Sequence, residues 1–92
     1  PAIKEYIEMR VVPLEKYLGD SELASDIIAR VEIGRTTHHH HKGDVYRAEI
    51  NIDMTQNIAR AESVSEDVRA AIDEAVDKAA RQLVKHKETK LD

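Results

Sequence analysis

Apolar residues recur along this 92-residue chain with two different periods, and the first of them predicts a helix at the amino terminus. Between residues 2 and 18 the spacing is three or four, the period of one helix face. Its members are Ile3, Ile7, Val11, Leu14 and Leu18. Pro13 interrupts this pattern and has no amide hydrogen to donate, so we expect a kink or two short helices. Gly19 follows where helices commonly end.

The next segments alternate apolar and polar side chains with a period of two, as half-buried strands do. Residues 27–33 and 45–54 both show it, and the polar residues between them suit a hairpin connection. The two strands should therefore be antiparallel. A third strand is expected at residues 58–62, with Ala59 and Ala61 on the same side as the core residues of the second.

A second helix follows the strands. Ser63, Val64, Ser65 and Glu66 match a capping box, which predicts that the helix begins there. Its apolar positions extend to Leu83, and we expect the helix to reach about residue 86. A helix, three strands and a helix, with each strand apolar on one side only, predict an α+β fold with an antiparallel sheet and two helices packed on one face.

The composition limits the classes of function. A chain of this length supports one domain, residues 1–92. It has no cysteine, no apolar run long enough to cross a membrane and no glycine-rich phosphate loop, so we expect a soluble cytoplasmic protein with no membrane partner. His86 is the only histidine outside one loop, and no catalytic triad is visible. We predict that the protein is not an enzyme and uses no cofactor.

Charge is unevenly distributed along the chain. The net charge is −4, yet residues 78–92 hold 5 Lys and Arg against 2 Asp and Glu. Lys78, Arg81 and Lys85 are spaced to lie along one helix stripe, and Lys87 and Lys90 extend the charge past the expected end of the helix. Such a stripe can follow a nucleic-acid backbone. It can also be a cationic helix end that suits the helix dipole, with acidic residues four positions earlier pairing locally.

Two further cations belong to the predicted sheet. Arg47 and Arg60 are opposite in phase to the apolar strand residues, so they should project from the outer face and could add to a phosphate-binding surface. An ordinary solvated sheet face is the alternative.

His38–His41 form a run in the hairpin loop. Imidazoles bind zinc or nickel, but neighbouring side chains of an extended backbone diverge and no spaced cysteine or acidic ligand accompanies them. We therefore predict no metal site. A polar loop that becomes cationic at acid pH, a loop that contacts RNA and a purification sequence are the other interpretations.

Residues 60–87 carry a family resemblance. They read RAESVSEDV from Arg60, AAID from Ala70, DK at 77–78 and RQLVKHK from Arg81. This resembles the ribosome hibernation promoting factor and protein Y family, with looser similarity at Pro1-Ala2-Ile3, at residues 14–17 and at residues 46–49.

The resemblance implies a domain like the double-stranded RNA-binding fold, lodged in the small ribosomal subunit where messenger and transfer RNA would sit. It implies contacts from the helix cations to ribosomal RNA phosphates and, more weakly, from Lys4, Arg10 and Lys16. The family fold begins with a strand before the first helix, whereas this chain opens at the helix, so that strand is absent or lies in a truncated segment. If it is complete at Asp92, the chain resembles a short form.

A missing first strand would leave a sheet edge unpaired, and a homodimer through that edge is then expected as an alternative. We keep two other functions beside RNA binding. The first is a protein-interaction or self-associating module of the same fold, which the acidic body favours. The second is a metal-responsive loop at His38–His41.

Overall fold

The structure is a computed structural model that describes residues 2–19, 27–36, 45–54 and 57–91, with side chains as far as residue 88 in the last segment. In chain order its elements are helix α1 (Ala2–Val11), a 3₁₀ helix (Val12–Tyr17), strands β1 (Ile28–Thr36), β2 (Val45–Asp53) and β3 (Ile58–Ser65), and helix α2 (Val68–Leu91). The strands form an antiparallel sheet in the order β1-β2-β3. The α+β prediction is confirmed.

The core lies between one face of the sheet and α2. Strand alternation places Ile50 of β2 opposite Val31 of β1 and Ala61 of β3, all on the helix side. Ile50 and Ile72 of α2 are 0% exposed, and burying a side chain of this size contributes about 1.5–3 kcal/mol. The remaining buried apolar residues of this layer are mostly alanines, which allow α2 to lie close to the strands.

The amino-terminal helix divides near Pro13, as predicted. Pro13 lies at the start of the 3₁₀ helix, where its missing amide hydrogen removes no intrahelical bond. In a helix with three residues per turn, every third side chain shares one side. Val11, Leu14 and Tyr17 accordingly point towards the core, and Leu14 is only 5% exposed.

The predicted capping box at residue 63 is wrong. Strand β3 continues to Ser65, and Ser63 faces the core, where it is 6% exposed and its hydroxyl donates to the Glu74 carboxylate of α2. The helix is instead capped by Asp67, whose Oδ1 accepts from the Arg69 amide at 3.2 Å. Ser63 lies two residues after Ala61 and four after Ala59, so it belongs to the core-facing side of β3. The strand pairing therefore determines its conformation, and the local capping pattern does not.

Helix α2 also extends further than expected, to Leu91 instead of about residue 86. The added residues are mainly Lys and Glu, which favour helix even where no apolar face requires it. None of the helices in the described ranges is long and apolar enough to span a membrane. The His38–His41 run and most of the predicted turn at residues 55–57 lie outside the described residues.

Candidate nucleic-acid interface

Lys78, Arg81 and Lys85 lie along one side of α2 and are all exposed. We call these three residues the α2 stripe. At about 100° per residue, Arg81 and Lys85 project within roughly 60° of Lys78 around the helix axis. The structure therefore brings these three predicted cations onto one surface.

The α2 stripe runs beside strand β3. The Lys78 ammonium donates to the Glu62 carbonyl at 2.9 Å, which uses one of its three donors. One turn later, Gln82 bonds both backbone groups of Arg60: its Oε1 accepts from the amide at 3.0 Å, and its Nε2 donates to the carbonyl. These contacts fix the rotation of α2 against the strand and so set the direction in which the stripe projects.

The sequence left open whether acidic residues four positions earlier pair with the stripe and neutralise its charge. Glu74 instead accepts a hydrogen bond from Ser63, and Asp77 lies 3.5 Å from an Arg10 guanidinium nitrogen. Neither carboxylate forms an ion pair with Lys78 or Arg81 in the part of the chain that the structure describes. The charges of Lys78 and Arg81 therefore remain available at the surface.

Lys87 and Lys90 do not continue the stripe in a simple line. Lys87 is exposed but follows Lys85 by two residues, about 200° around the helix, so it projects from another side of α2. Lys90 lies in the last turn of the helix, and its side chain is outside the described residues.

Arg47 and Arg60 project from the outer face of the sheet, as their phase predicted, but both are bonded there. Arg47 bonds the carboxylates of Glu62 and Glu49, with its Nε 3.0 Å from Glu62 Oε2. Arg60 Nε donates to Asn51 Oδ1 at 2.7 Å. The outer face therefore carries cations that are already paired across the strands.

This pairing also shifts ionisation on the outer face. The Asn51 amide, which donates to Glu49 at 2.9 Å, lowers the pKa of the Glu49 carboxyl, and Arg47 lowers it further. Hydrogen bonds from Arg47 to Glu62 and Glu49 in turn raise the pKa of the guanidinium. Both groups are held in their charged forms as partners of each other.

A separate cluster joins α1 to α2. Asp73 Oδ1 accepts from the Tyr6 hydroxyl at 2.6 Å and from Arg10 Nε at 2.9 Å. The hydrogen bond to Asp73 raises the pKa of Tyr6, and the Arg69 guanidinium lies 5.2 Å from the Tyr6 ring centroid. Arg10 therefore links the two helices through its bonds to α2.

The other two cations that the resemblance suggested in this part of the chain, Lys4 and Lys16, are exposed. The Lys16 ammonium lies 5.1 Å from the centroid of the Tyr17 ring. Lys4 and Lys16 belong to the helical segment that precedes the sheet, whereas the α2 stripe lies beside β3.

Gln82 is the residue that sequence reasoning missed. Its partner is the backbone of a strand 22 residues earlier, and no side-chain pattern marks such a bond. Within the described residues, no group of three or more His, Cys, Asp or Glu side chains is placed to hold a metal ion.

Known proteins resemble this chain over nearly its whole length. A sequence profile of the family described as Sigma 54 modulation protein / S30EA ribosomal protein matches residues 1–90. The ribosome hibernation promotion factor of Bacillus subtilis (strain 168) is 33% identical over 87 residues, which are 95% of this chain and 42% of that protein. The chain thus spans less than half the length of this relative.

The crystal structure of the Thermus thermophilus protein Y N-terminal domain has the same fold. It superposes with a TM-score of 0.65 at 27% identity and covers 92% of this chain and 82% of that domain. The chain belongs to the Sigma 54 modulation protein / S30EA ribosomal protein family.

Proposed function

We propose that this chain is a ribosome-binding domain that binds ribosomal RNA of the small subunit at the messenger and transfer RNA channel, and so keeps idle ribosomes from translating. The observation that carries the proposal is the α2 stripe, in which the carboxylates four positions before Lys78 and Arg81 are bonded elsewhere. Family membership and the name of the Bacillus subtilis relative support the ribosome as partner. The action is occupancy of a site in the cytoplasm, with no catalytic step and no cofactor.

The proposed contacts are phosphate contacts, because Lys and Arg on one helix side can follow a backbone without reading bases. Lys78, Arg81 and Lys85 contribute most. Lys87 and Lys90 add charge near the end of the helix. Arg47 and Arg60 contribute less, since an RNA phosphate would compete with carboxylate and amide oxygens that already bond them.

The test is co-sedimentation of the protein with purified small subunits over a range of salt concentrations. Each lost phosphate contact reduces the slope of log affinity against log salt by about one unit. Changing Lys78, Arg81 and Lys85 together to Glu should therefore abolish binding near physiological salt, whereas the wild type loses affinity gradually as salt rises.

The matched control changes three exposed cations that are not assigned to the interface, Arg30, Arg35 and Arg69, to Glu. It alters the net charge by the same amount, so equal loss of binding in both triple variants would show that only bulk charge matters and would overturn the assigned site. Unchanged binding by the stripe variant would reject the RNA interface. Circular dichroism spectra establish that both variants are folded.

Self-association through the sheet is a second candidate function, and the edge of β1 favours it. In the described part of the chain, β1 is paired with β2 alone. If self-association is the function, the stripe variant should sediment like the wild type in velocity experiments, and changes in β1 should alter the oligomeric state.

A further inference from the structure

Two acidic residues are well placed to neutralise the α2 stripe, and both are held by other parts of the fold. Glu74 precedes Lys78 by four residues, and Asp77 precedes Arg81 by four. An acid four positions before a base is the favourable order for an ion pair on a helix surface. In a chain with 18 Asp and Glu against 14 Lys and Arg, such pairs would be the expected arrangement.

Around the helix axis these acids lie among the cations. At about 100° per residue, Asp77 projects roughly 40° from Arg81, and Glu74 projects between Lys78 and Arg81. Both acidic residues are exposed on α2. Their position therefore does not keep them from the stripe, and their bonds to other elements do.

Asp77 is held from α1. One guanidinium nitrogen of Arg10 lies 3.5 Å from Asp77 Oδ1, while Arg10 Nε donates to Asp73 Oδ1 at 2.9 Å. Asp73 also accepts from the Tyr6 hydroxyl, which fixes its carboxylate. Around the helix, Asp73 lies on the far side of Asp77 from Arg81. Arg10 therefore holds the Asp77 carboxylate on the side away from the stripe.

Glu74 is held from β3. The Ser63 hydroxyl donates to Glu74 Oε2, and Ser63 is only 6% exposed. A buried hydroxyl is costly without a hydrogen-bond partner, so this bond favours the carboxylate position that serves Ser63. Because Ser63 and Arg10 belong to different elements, the two acids are engaged independently.

We propose that Arg10 and Ser63 are positioning residues of the RNA interface, which keep the α2 stripe cationic by engaging the carboxylates that would otherwise pair with it. Neither side chain needs to touch RNA. The inference rests on the proposed function, because that function assigns the stripe to phosphate contacts. It gives Arg10 a role different from the direct RNA contact that the resemblance suggested.

A double-mutant cycle with Asp77 tests the role of Arg10. Arg10→Gln should weaken binding to small subunits by roughly two- to fivefold, the range expected when Arg81 gains an exposed ion pair. In the Asp77→Asn background, Arg10→Gln should have no such effect. A loss of the same size in both backgrounds would show that Arg10 contacts RNA itself and would overturn its positioning role.

Arg30→Gln is the matched control. It removes the same charge and releases an aspartate, because Arg30 Nη1 lies 3.1 Å from Asp53 Oδ2. Arg30 belongs to β1, which β2 separates from β3, the strand beside the stripe. An equal loss of binding in Arg30→Gln and Arg10→Gln would show that only net charge matters and would overturn the proposal.

Ser63→Ala tests the second contact without changing the net charge. Alanine already occupies the neighbouring core-facing positions of β3, Ala59 and Ala61, so the variant should fold. It should weaken binding by a similar factor, and Glu74→Gln should remove the effect. A Ser63→Ala variant that binds as tightly as the wild type would overturn the role of Ser63.

NMR spectroscopy distinguishes failure of this inference from failure of the proposed function, because it needs no ribosome. The Nε–H resonance of Arg81 should shift in Arg10→Gln and return in the double variant with Asp77→Asn. If it does so and the stripe variant still binds small subunits normally, only the proposed function fails. If the stripe variant loses binding while Arg10→Gln leaves both the Arg81 resonance and the affinity unchanged, only the positioning role of Arg10 fails.

Discussion

Replacing Gln82 by alanine removes both side-chain bonds that cover the β3 edge, and its cost can be estimated from the structure. Each hydrogen bond contributes a net of about 0.5–1.5 kcal/mol to stability. Both bonds are exposed, so in the variant water can bond the backbone of Arg60 and offset part of the loss. Alanine also favours helix slightly more than glutamine does. We therefore expect Gln82→Ala to lower the free energy of unfolding by about 1–2 kcal/mol, a noticeable part of the roughly 5–15 kcal/mol of a typical domain.

Equilibrium urea unfolding measures that loss, and amide hydrogen exchange locates it. The Arg60 amide should exchange faster in Gln82→Ala, while amides in the centre of β2 should follow only the global change. Gln82→Glu separates the two bonds, because the carboxylate still accepts from the Arg60 amide but cannot donate to the carbonyl. It should keep amide protection at Arg60 while losing stability.

Arg81→Ala is the matched control for this series. It removes an exposed side chain one position earlier, and no bond of Arg81 is found in the part of the chain that the structure describes, so stability should change by less than about 0.5 kcal/mol. If Gln82→Ala is as stable as Arg81→Ala and the Arg60 amide keeps its protection, the role assigned to Gln82 is refuted.

Two other predictions test the core and the contact between the helices. Leu83 is 1% exposed, and Leu83→Ala should lower the free energy of unfolding by about 2–5 kcal/mol in the same urea experiment. Val84→Ala, at a 36% exposed position, should lower it by less than about 0.5 kcal/mol, and equal losses in the two variants would contradict the core assignment. Asp73→Asn should lower the pKa of Tyr6 towards its usual value of about 10, measured from the tyrosine ring resonances by NMR, because Asp73 is the main cause of its increase. Because the pKa of Tyr6 is raised in the folded state, the Tyr6–Asp73 bond stabilises the fold below pH 10, and this stabilisation is lost as the pH rises through the pKa of Tyr6 in the folded protein. A pKa of Tyr6 that is the same in Asp73→Asn as in the wild type would refute the role of Asp73.

Much of the fold could be predicted because the spacing of apolar residues along the chain indicates which side chains are buried. Ile50 and Ala61 lie on the core side where their alternation places them, and Pro13 divides the first helix for a stereochemical reason visible in the sequence. The start of α2 could not be read in the same way. Ser63 fits both a helix cap and a strand, and only the packing of its hydroxyl against Glu74 decides between them.

The candidate site was predictable in part. Helical spacing alone places Lys78, Arg81 and Lys85 together. The alternation of β2 predicts the face of the sheet on which Arg47 lies but not the partners of Arg47, because Glu62 lies beside it only through the pairing of β2 with β3. Gln82 stays hidden for the same reason, since its function depends on the neighbouring strand and on no local pattern.

The 3₁₀ helix after Pro13 implies an unusual pattern of mutational tolerance. Side chains that point inward recur every third residue, at Val11, Leu14 and Tyr17, and both positions between each pair face water. Polar replacements should accordingly be accepted at two of every three positions of this segment. Deleting one residue would move Leu14 out of line with its neighbours and detach the segment from the core.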